Sequence, residues 1–191
     1  MPNSSATGGY LIPADAPAVN EDTELEDIFQ AAISGMTGIA GQLVRPRWQP
    51  GNPKQPAANA NWAAFSVTMQ MPDNNPSIQH VGAEDGKDVY KRHIDVQLLV
   101  TLYGPDSGAN ASRLRDGLQI AQNSETLNAS GVAFVEAGEI REMPELVNNQ
   151  WIRRKDLVMR FRREIVRDYP ILNIVEADPV IISDQIGIIT N

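Results

Sequence analysis

The sequence predicts an α+β domain: a mixed or antiparallel β-sheet flanked by two or more helices, with a long projecting β-hairpin. Three observations carry that prediction. Leu25, Ile28, Phe29, Ala32, Ile33 and Met36 recur at helical spacing and form one apolar stripe. The stretches 88–103 and 143–167 alternate apolar and charged side chains with period two, as half-covered strands do. Between them Ala111, Leu114, Leu118 and Ala121 make a second helical stripe.

Taken in order, residues 1–20 hold Pro2, Gly8, Gly9, Pro13 and Pro17 among small side chains, too little apolar surface to offset ordering, so an extended or disordered arm is expected. Tyr10, Leu11 and Ile12 are its apolar cluster and could dock on a neighbouring subunit. The first helix follows, with Asp22 or Thr23 as its cap, acidic residues at its positive end, and Gly35 or Gly38 at its exit. Val44 to Pro50 reads as a short extended piece and 51–60 as a polar loop. Trp62 to Met71 alternates as a strand, broken at Pro72–Pro76 and resumed over 77–83.

Asp85-Gly86 has the composition of a two-residue hairpin turn, whose central residues need positive φ. That turn places His80 opposite Lys91 and His93 opposite Ile78, making the two imidazoles diagonal neighbours. The returning strand, 88–103, ends at Tyr103-Gly104-Pro105, where a helix over about 107–123 begins. Strands are then expected at 132–140, from Trp151 onward, and at 171–176. The chain divides into an arm (1–20), one α+β domain (21–177) and an apolar tail (178–191). A 16-residue strand spans about 53 Å at ~3.3 Å per residue, longer than the ~40 Å diameter of a compact domain of this size. Projection of the hairpin and of the 143–167 strand is therefore expected.

Composition excludes several classes. With 24 acidic against 16 basic residues and a formal charge of −8, the chain lacks the net basic surface of a dedicated nucleic-acid binder. It has no cysteine, so disulfides, zinc–thiolate sites and thiol catalysis are out. No window approaches the ~18 apolar residues of a membrane span. The first 20 residues lack the regions of a signal peptide, and cytoplasmic synthesis is the expectation. No phosphate-binding glycine loop or nucleophile elbow is present. His80, His93 and Asp95 share a face in this register, but Lys91 opposite His80 competes with a metal cation. Glu84, Asp85 and Asp88 have turn chemistry. No cofactor and no catalytic residue is expected.

Charge is segregated: Arg153, Arg154, Lys155, Arg160, Arg162, Arg163 and Arg167 fall within one short stretch. Three readings are open: a solvated strand face paired with acids of a neighbouring strand, a surface pairing with the next protomer, or contact with passing nucleic acid. Asp156 and Glu164 in the same row as Arg160 and Arg162 weaken a phosphate surface. The intersubunit reading ranks first, with Trp151 as a candidate anchor. The candidate interface is therefore Trp151, Arg153, Arg154, Arg160, Arg162 and Arg163, with Asp85 and Gly86 at the hairpin tip.

The order of segments VRPRWQP, NWAAFSV, KRHIDVQLLVTLYGP and MPELVNNQWIRRKDLVMRFRR resembles the neck or tail terminator proteins of long-tailed bacteriophages. YGP at a strand-to-helix junction and the PEL…QW pair are the most distinctive parts, and the resemblance covers about 24–177. It implies a virion protein of the tail or neck, assembled in the host cytoplasm, that forms a homo-oligomeric ring, commonly a hexamer. Such a ring caps the tail tube, meets the head-side connector and the sheath, and lets genome DNA pass without sequence-specific binding. It implies no enzyme, cofactor or membrane. A head-completion stopper subunit is the nearest alternative. A small hydrolase or isomerase using His93 and Asp95, and a regulatory DNA-binding module, are alternatives from other classes.

Overall fold

A computed structural model describes residues 3–14, 20–51, 53–147 and 149–173. Over these residues it is an α+β fold with three helices and a mixed six-stranded sheet. Helix α1 spans Thr23–Thr37, and a single 3-10 turn at Gly41–Leu43 leads into strand β1, Val44–Pro46. Strands β2 (Trp62–Pro72), β3 (Ser77–Val81) and β4 (Lys87–Tyr103) follow, then helices α2 (Ser107–Gly117) and α3 (Ala121–Ala129). Strand β5 (Val132–Glu142), the short pair β6 (Glu145–Val147) and β7 (Gln150–Ile152), and β8 (Arg154–Tyr169) complete the order. The main sheet runs β1-β2-β4-β8-β5, with β3 paired to the first part of β4; β6 and β7 form a separate ribbon. Among these strand pairs only β1–β2 is parallel.

The core lies between one face of this sheet and the helices. Val96, Leu98, Val100 and Leu102 of β4 and Leu157, Met159 and Phe161 of β8 point to that face and are buried with Leu25, Phe29 and Ile33 of α1 and Leu114 of α2. The period-two rows of the two strands meet in register, Val96 against Phe161 and Val100 against Leu157. Phe29 and Phe134 both pack on Phe161, with ring centroids 5.0 and 5.8 Å away. Fully burying such side chains contributes about 1.5–3 kcal/mol each.

Several expectations are corrected. The predicted second helix is two, because the chain turns at Gly117–Ile120; Gly117 packs on Met36, where an added Cβ would stand 3.3 Å from its side chain. Helix α1 has no side-chain cap; its acidic first turn and a left-handed Gly38 (φ 76°), whose N–H bonds to the Ser34 carbonyl, mark its ends. The 143–167 alternation is not one strand. Asn149, at φ 61°, folds its first part back as the β6–β7 ribbon before β8 begins. Asp85-Gly86 is not a two-residue turn: β3 and β4 are joined by Gly82–Gly86, with Glu84 at φ 55° and Gly86 at φ 90°. His80 therefore faces Asp88, and His93 lies opposite Glu164 of β8. Residues 171–173 form no strand, and 174–176 and the apolar tail lie outside the described residues.

The arm is described over residues 3–14. It touches the far end of β8: Ala14 bridges to Asp168 and the Ser5 hydroxyl accepts the Leu172 N–H.

Candidate assembly surface

The distinctive motifs meet at one end of the sheet, where β2 begins, β4 ends and β8 begins. Gly104 follows β4 at φ 100°, and its N–H donates to the Arg153 carbonyl. A Cβ there would stand 2.4 Å from the Ala60 carbonyl oxygen, so glycine is required by both backbone and space. Asn61 and Asp106 close the same corner: the Asn61 amide donates to the Asp106 carboxylate at 2.8 Å, and the Asp106 N–H returns to Asn61 at 3.0 Å. The Tyr103-Gly104-Pro105 junction is thus a tight corner ahead of α2.

On the sheet face opposite the helices, the β6–β7 ribbon packs over this corner. Ile152 and Val147 contact Ala64, Tyr103 and Trp62. Trp62 stacks on Tyr103, 4.1 Å between centroids and 4° from parallel. Arg154 lies over the Tyr103 ring, 5.9 Å from its centroid. It binds Asp156 through two hydrogen bonds, 3.0 and 2.8 Å, and reaches Glu145 at 3.4 Å. The Asp156 carboxylate raises the Arg154 pKa; burial raises that of the Tyr103 hydroxyl. Since Ile152 points inward, its neighbour Trp151 points out. Trp151 is 72% exposed and stands directly across the ribbon from Leu146, itself 55% exposed. Trp48, 79% exposed, and Trp62 also wall a 270 Å³ proline-lined hollow beside this end.

The sequence-derived interface residues separate into distinct places. Trp151, Arg153 and Arg154 are at the corner. Arg153 makes one long contact, 3.5 Å, to the Pro105 carbonyl, and no ion pair among the described residues. Arg160 and Arg162 lie mid-strand on the open face, where carboxylates of their own chain engage them. Arg160 meets Glu136 at 3.4 Å; Arg162 meets Asp73 at 2.8 Å and Asp95 at 3.3 Å. Of the three readings of the basic strand, pairing within the chain is what its geometry shows for Arg154, Arg160 and Arg162. Arg163 turns to the helix side. It is 5% exposed, donates to the Asn20 carbonyl, and has its pKa pushed down by burial, so it is no surface residue. Strand parity alone separates it from Arg162. Asp85 and Gly86 sit at the opposite end of the β4–β8 ladder, where Asp85 accepts the Asn173 N–H.

Leu146 escaped sequence reasoning. The signal was the Asn148-Asn149 pair between PELV and QWI, since asparagine tolerates left-handed backbone and so favours a turn. His80, His93 and Asp95 do not converge. Asp95 holds Arg162, His93 lies 3.9 Å from both Asp73 and Glu164, and His80 holds Asp88. Among the described residues no three histidine or carboxylate side chains gather as metal ligands. A 480 Å³ groove between α1 and α3, walled by Ile28, Ala32, Met36 and Leu127, is apolar and holds no nucleophile–base pair. Among the described residues, no helix is long and apolar enough to cross a membrane.

Comparison with known proteins agrees with the motif pattern. The family model described as phage neck terminator protein matches residues 23–185. No curated protein matches the chain. A chain in the virion of a native gene transfer agent particle is similar at 18% identity over 75% of this chain and 99% of that one. Its TM-score of 0.26 is too low for the superposition to carry weight.

Proposed function

This chain belongs to the phage neck terminator proteins, and we propose from that premise that its copies close into a hexameric ring that caps the tail tube and joins it to the head-side connector. The observation that carries this reading is the Trp151–Leu146 pair. Two large apolar side chains are held out to solvent by a ribbon braced from beneath by Ile152, Tyr103 and Trp62. A braced, exposed aromatic beside an arginine with no ion pair among the described residues has the composition of an interface centre. Arg153 supplies the charge, and Trp48 extends the apolar surface.

Closure is the work a terminator does. A heterologous contact repeated around an axis ends when the ring closes, leaving no site for another subunit. The outer sheet edge is built against open-ended growth. Strand β5 has two register shifts, between Phe134 and Glu136 and between Ala137 and Ile140, and carries Glu136, Glu139 and Glu142. Bulges and charges of this kind discourage strand addition. The ring contact is therefore assigned to side chains of the β6–β7 ribbon and not to an added strand. The open sheet face mixes Lys91, Arg160 and Arg162 with Asp95, Asp156 and Glu164, which suits DNA passing through a lumen without tight binding. The reading involves no catalytic step and no cofactor.

Mass photometry and negative-stain imaging of the purified chain, alone and with tail tube protein, test it. Closed six-fold rings are expected. Trp151→Asp should shift the population to monomers while leaving the circular dichroism and melting temperature unchanged. Monomers alone at high concentration in both mixtures would overturn the ring.

A further inference from the structure

Away from the corner, the far end of the ladder holds a cluster with no role in ring closure. The His80 ring lies between two oxygen acceptors: its Nδ1 is 2.7 Å from Asp88 Oδ1 and its Nε2 is 2.9 Å from Asn173 Oδ1. The orientation of the Asn173 amide is set independently. Its Nδ2 donates to the carbonyls of Gly82 (3.1 Å) and Glu84 (3.0 Å), which leaves Oδ1 toward the imidazole. Its backbone N–H donates to the Asp85 carbonyl. Gly86 completes the fit, since a Cβ there would stand 2.6 Å from Asn173 Oδ1 and 2.7 Å from the Ile171 carbonyl. Asn173 thus plugs the β3–β4 connection, and His80 fastens the plug to Asp88.

Two oxygen acceptors, one at each ring nitrogen, require two N–H groups, and only the imidazolium has both. We propose that His80, Asp88 and Asn173 form a protonation-dependent latch that ties the segment following β8 to the β3–β4 connection. Loss of one proton leaves a nitrogen lone pair facing an oxygen across either 2.7 or 2.9 Å, with the Asn173 amide unable to turn over without giving up its two carbonyls. Release then frees the point from which residues 174–191 continue.

The surrounding charges agree with this direction. Asp88 from β4 is the carboxylate on the ring. Tyr90 and Tyr169 stand beside it on the same face with their rings edge to face, 6.4 Å apart. Glu84 and Asp85 of the connection contribute backbone carbonyls. Lys87 is occupied on the reverse face by Asp168 at 2.7 Å. The hydrogen bond to Asp88, then that to Asn173, raise the His80 pKa above its ordinary 6.5. A group raised on folding stabilises fully below its unfolded value and loses that stabilisation as pH rises through the folded one. The latch is closed in mild acid and opens as the pH rises through the raised His80 pKa, which lies above 6.5.

The chain has two histidines, so the His80 ring signal can be assigned with a single His93→Gln variant. Proton NMR should show His80 titrating above 6.5, and Asp88→Asn should lower that midpoint. Amide exchange, corrected for its intrinsic pH dependence, should show Gly86 and Asn173 losing protection by about tenfold across the same range. In His80→Gln the protection should be low and independent of pH. A His80 midpoint at or below 6.5, or equal protection in His80→Gln and the parent at every pH, would overturn the latch. Neither readout depends on ring formation, so failure here leaves the assembly reading where it stands.

Discussion

The β4–β8 ladder runs without interruption from Asp88–Tyr169 to Tyr103–Arg154, yet its two halves are held together in different ways. In the half nearer the corner, the helix-facing row is Val96, Leu98, Val100, Leu102, Leu157, Met159 and Phe161, each at most 2% exposed. In the far half the same row reads Asp88, Tyr90, Arg92, Ile94, Arg163, Ile165, Arg167 and Tyr169. Ile78 of β3, next to Tyr90, is 62% exposed. The near half is held by burial under α1 and α2. The far half is held by polar contacts at its borders: Arg163 to the Asn20 carbonyl, Arg167 to Glu21, Lys87 to Asp168, and the His80 cluster. One strand pair therefore combines a fixed body with an end whose contacts depend on charge. For a bacteriophage neck structural protein, that places the exposed Trp151 surface on the rigid half.

The comparison can be broken most severely at Phe161. Replacing it with Ala removes the ring on which Phe29 and Phe134 pack and should cost about 3–5 kcal/mol in chemical denaturation. Tyr169→Ala, eight residues along the same strand and on the same face, removes an edge-to-face partner of Tyr90, a pair worth about 0.5–1.5 kcal/mol beyond the burial of a partly exposed ring, and should cost clearly less than Phe161→Ala. Equal losses at the two sites would mean that the far half is as well covered as the near one.

Much of this division was readable beforehand. Period two placed the Ile94–Leu102 row on one face and located β4 to within a residue, because alternation over a long strand leaves one register that buries the apolar set. The stripe of α1 was equally plain. What escaped was governed by contacts distant in sequence. Asp85-Gly86 satisfies the composition of a tight turn, but Asn173 fills the connection and its hydrogen bonds stabilise a longer one. The carboxylates that meet Arg160 and Arg162 come from β2's far flank, β4 and β5, and strand pairing must be known before they can be placed. Arg163 is a different case, since parity with Phe161 already set it on the buried face. The corner at Gly104 was legible as a strand-to-helix junction, while the need for glycine there becomes visible only when the Ala60 carbonyl is in place.

The smallest effect expected concerns the open face, and it distinguishes an ion pair that organises the surface from one that stabilises the fold. Arg162 bridges Asp73, which follows β2, and Asp95 of β4, with its own side chain and that of Asp73 more than two-fifths exposed. Exposed pairs give up most of their Coulomb energy to water and lose side-chain freedom on forming. A double-mutant cycle of Arg162→Ala and Asp73→Ala should therefore yield a coupling of about 0.2–1 kcal/mol at low salt. The coupling should fade at 1 M salt, where the Debye length falls to about 3 Å. A salt-insensitive coupling above about 2 kcal/mol would contradict this, because it requires a pair withdrawn from water. It would mean that another surface covers this face in solution, and the contact between copies would then include the basic strand as well as the Trp151 ribbon.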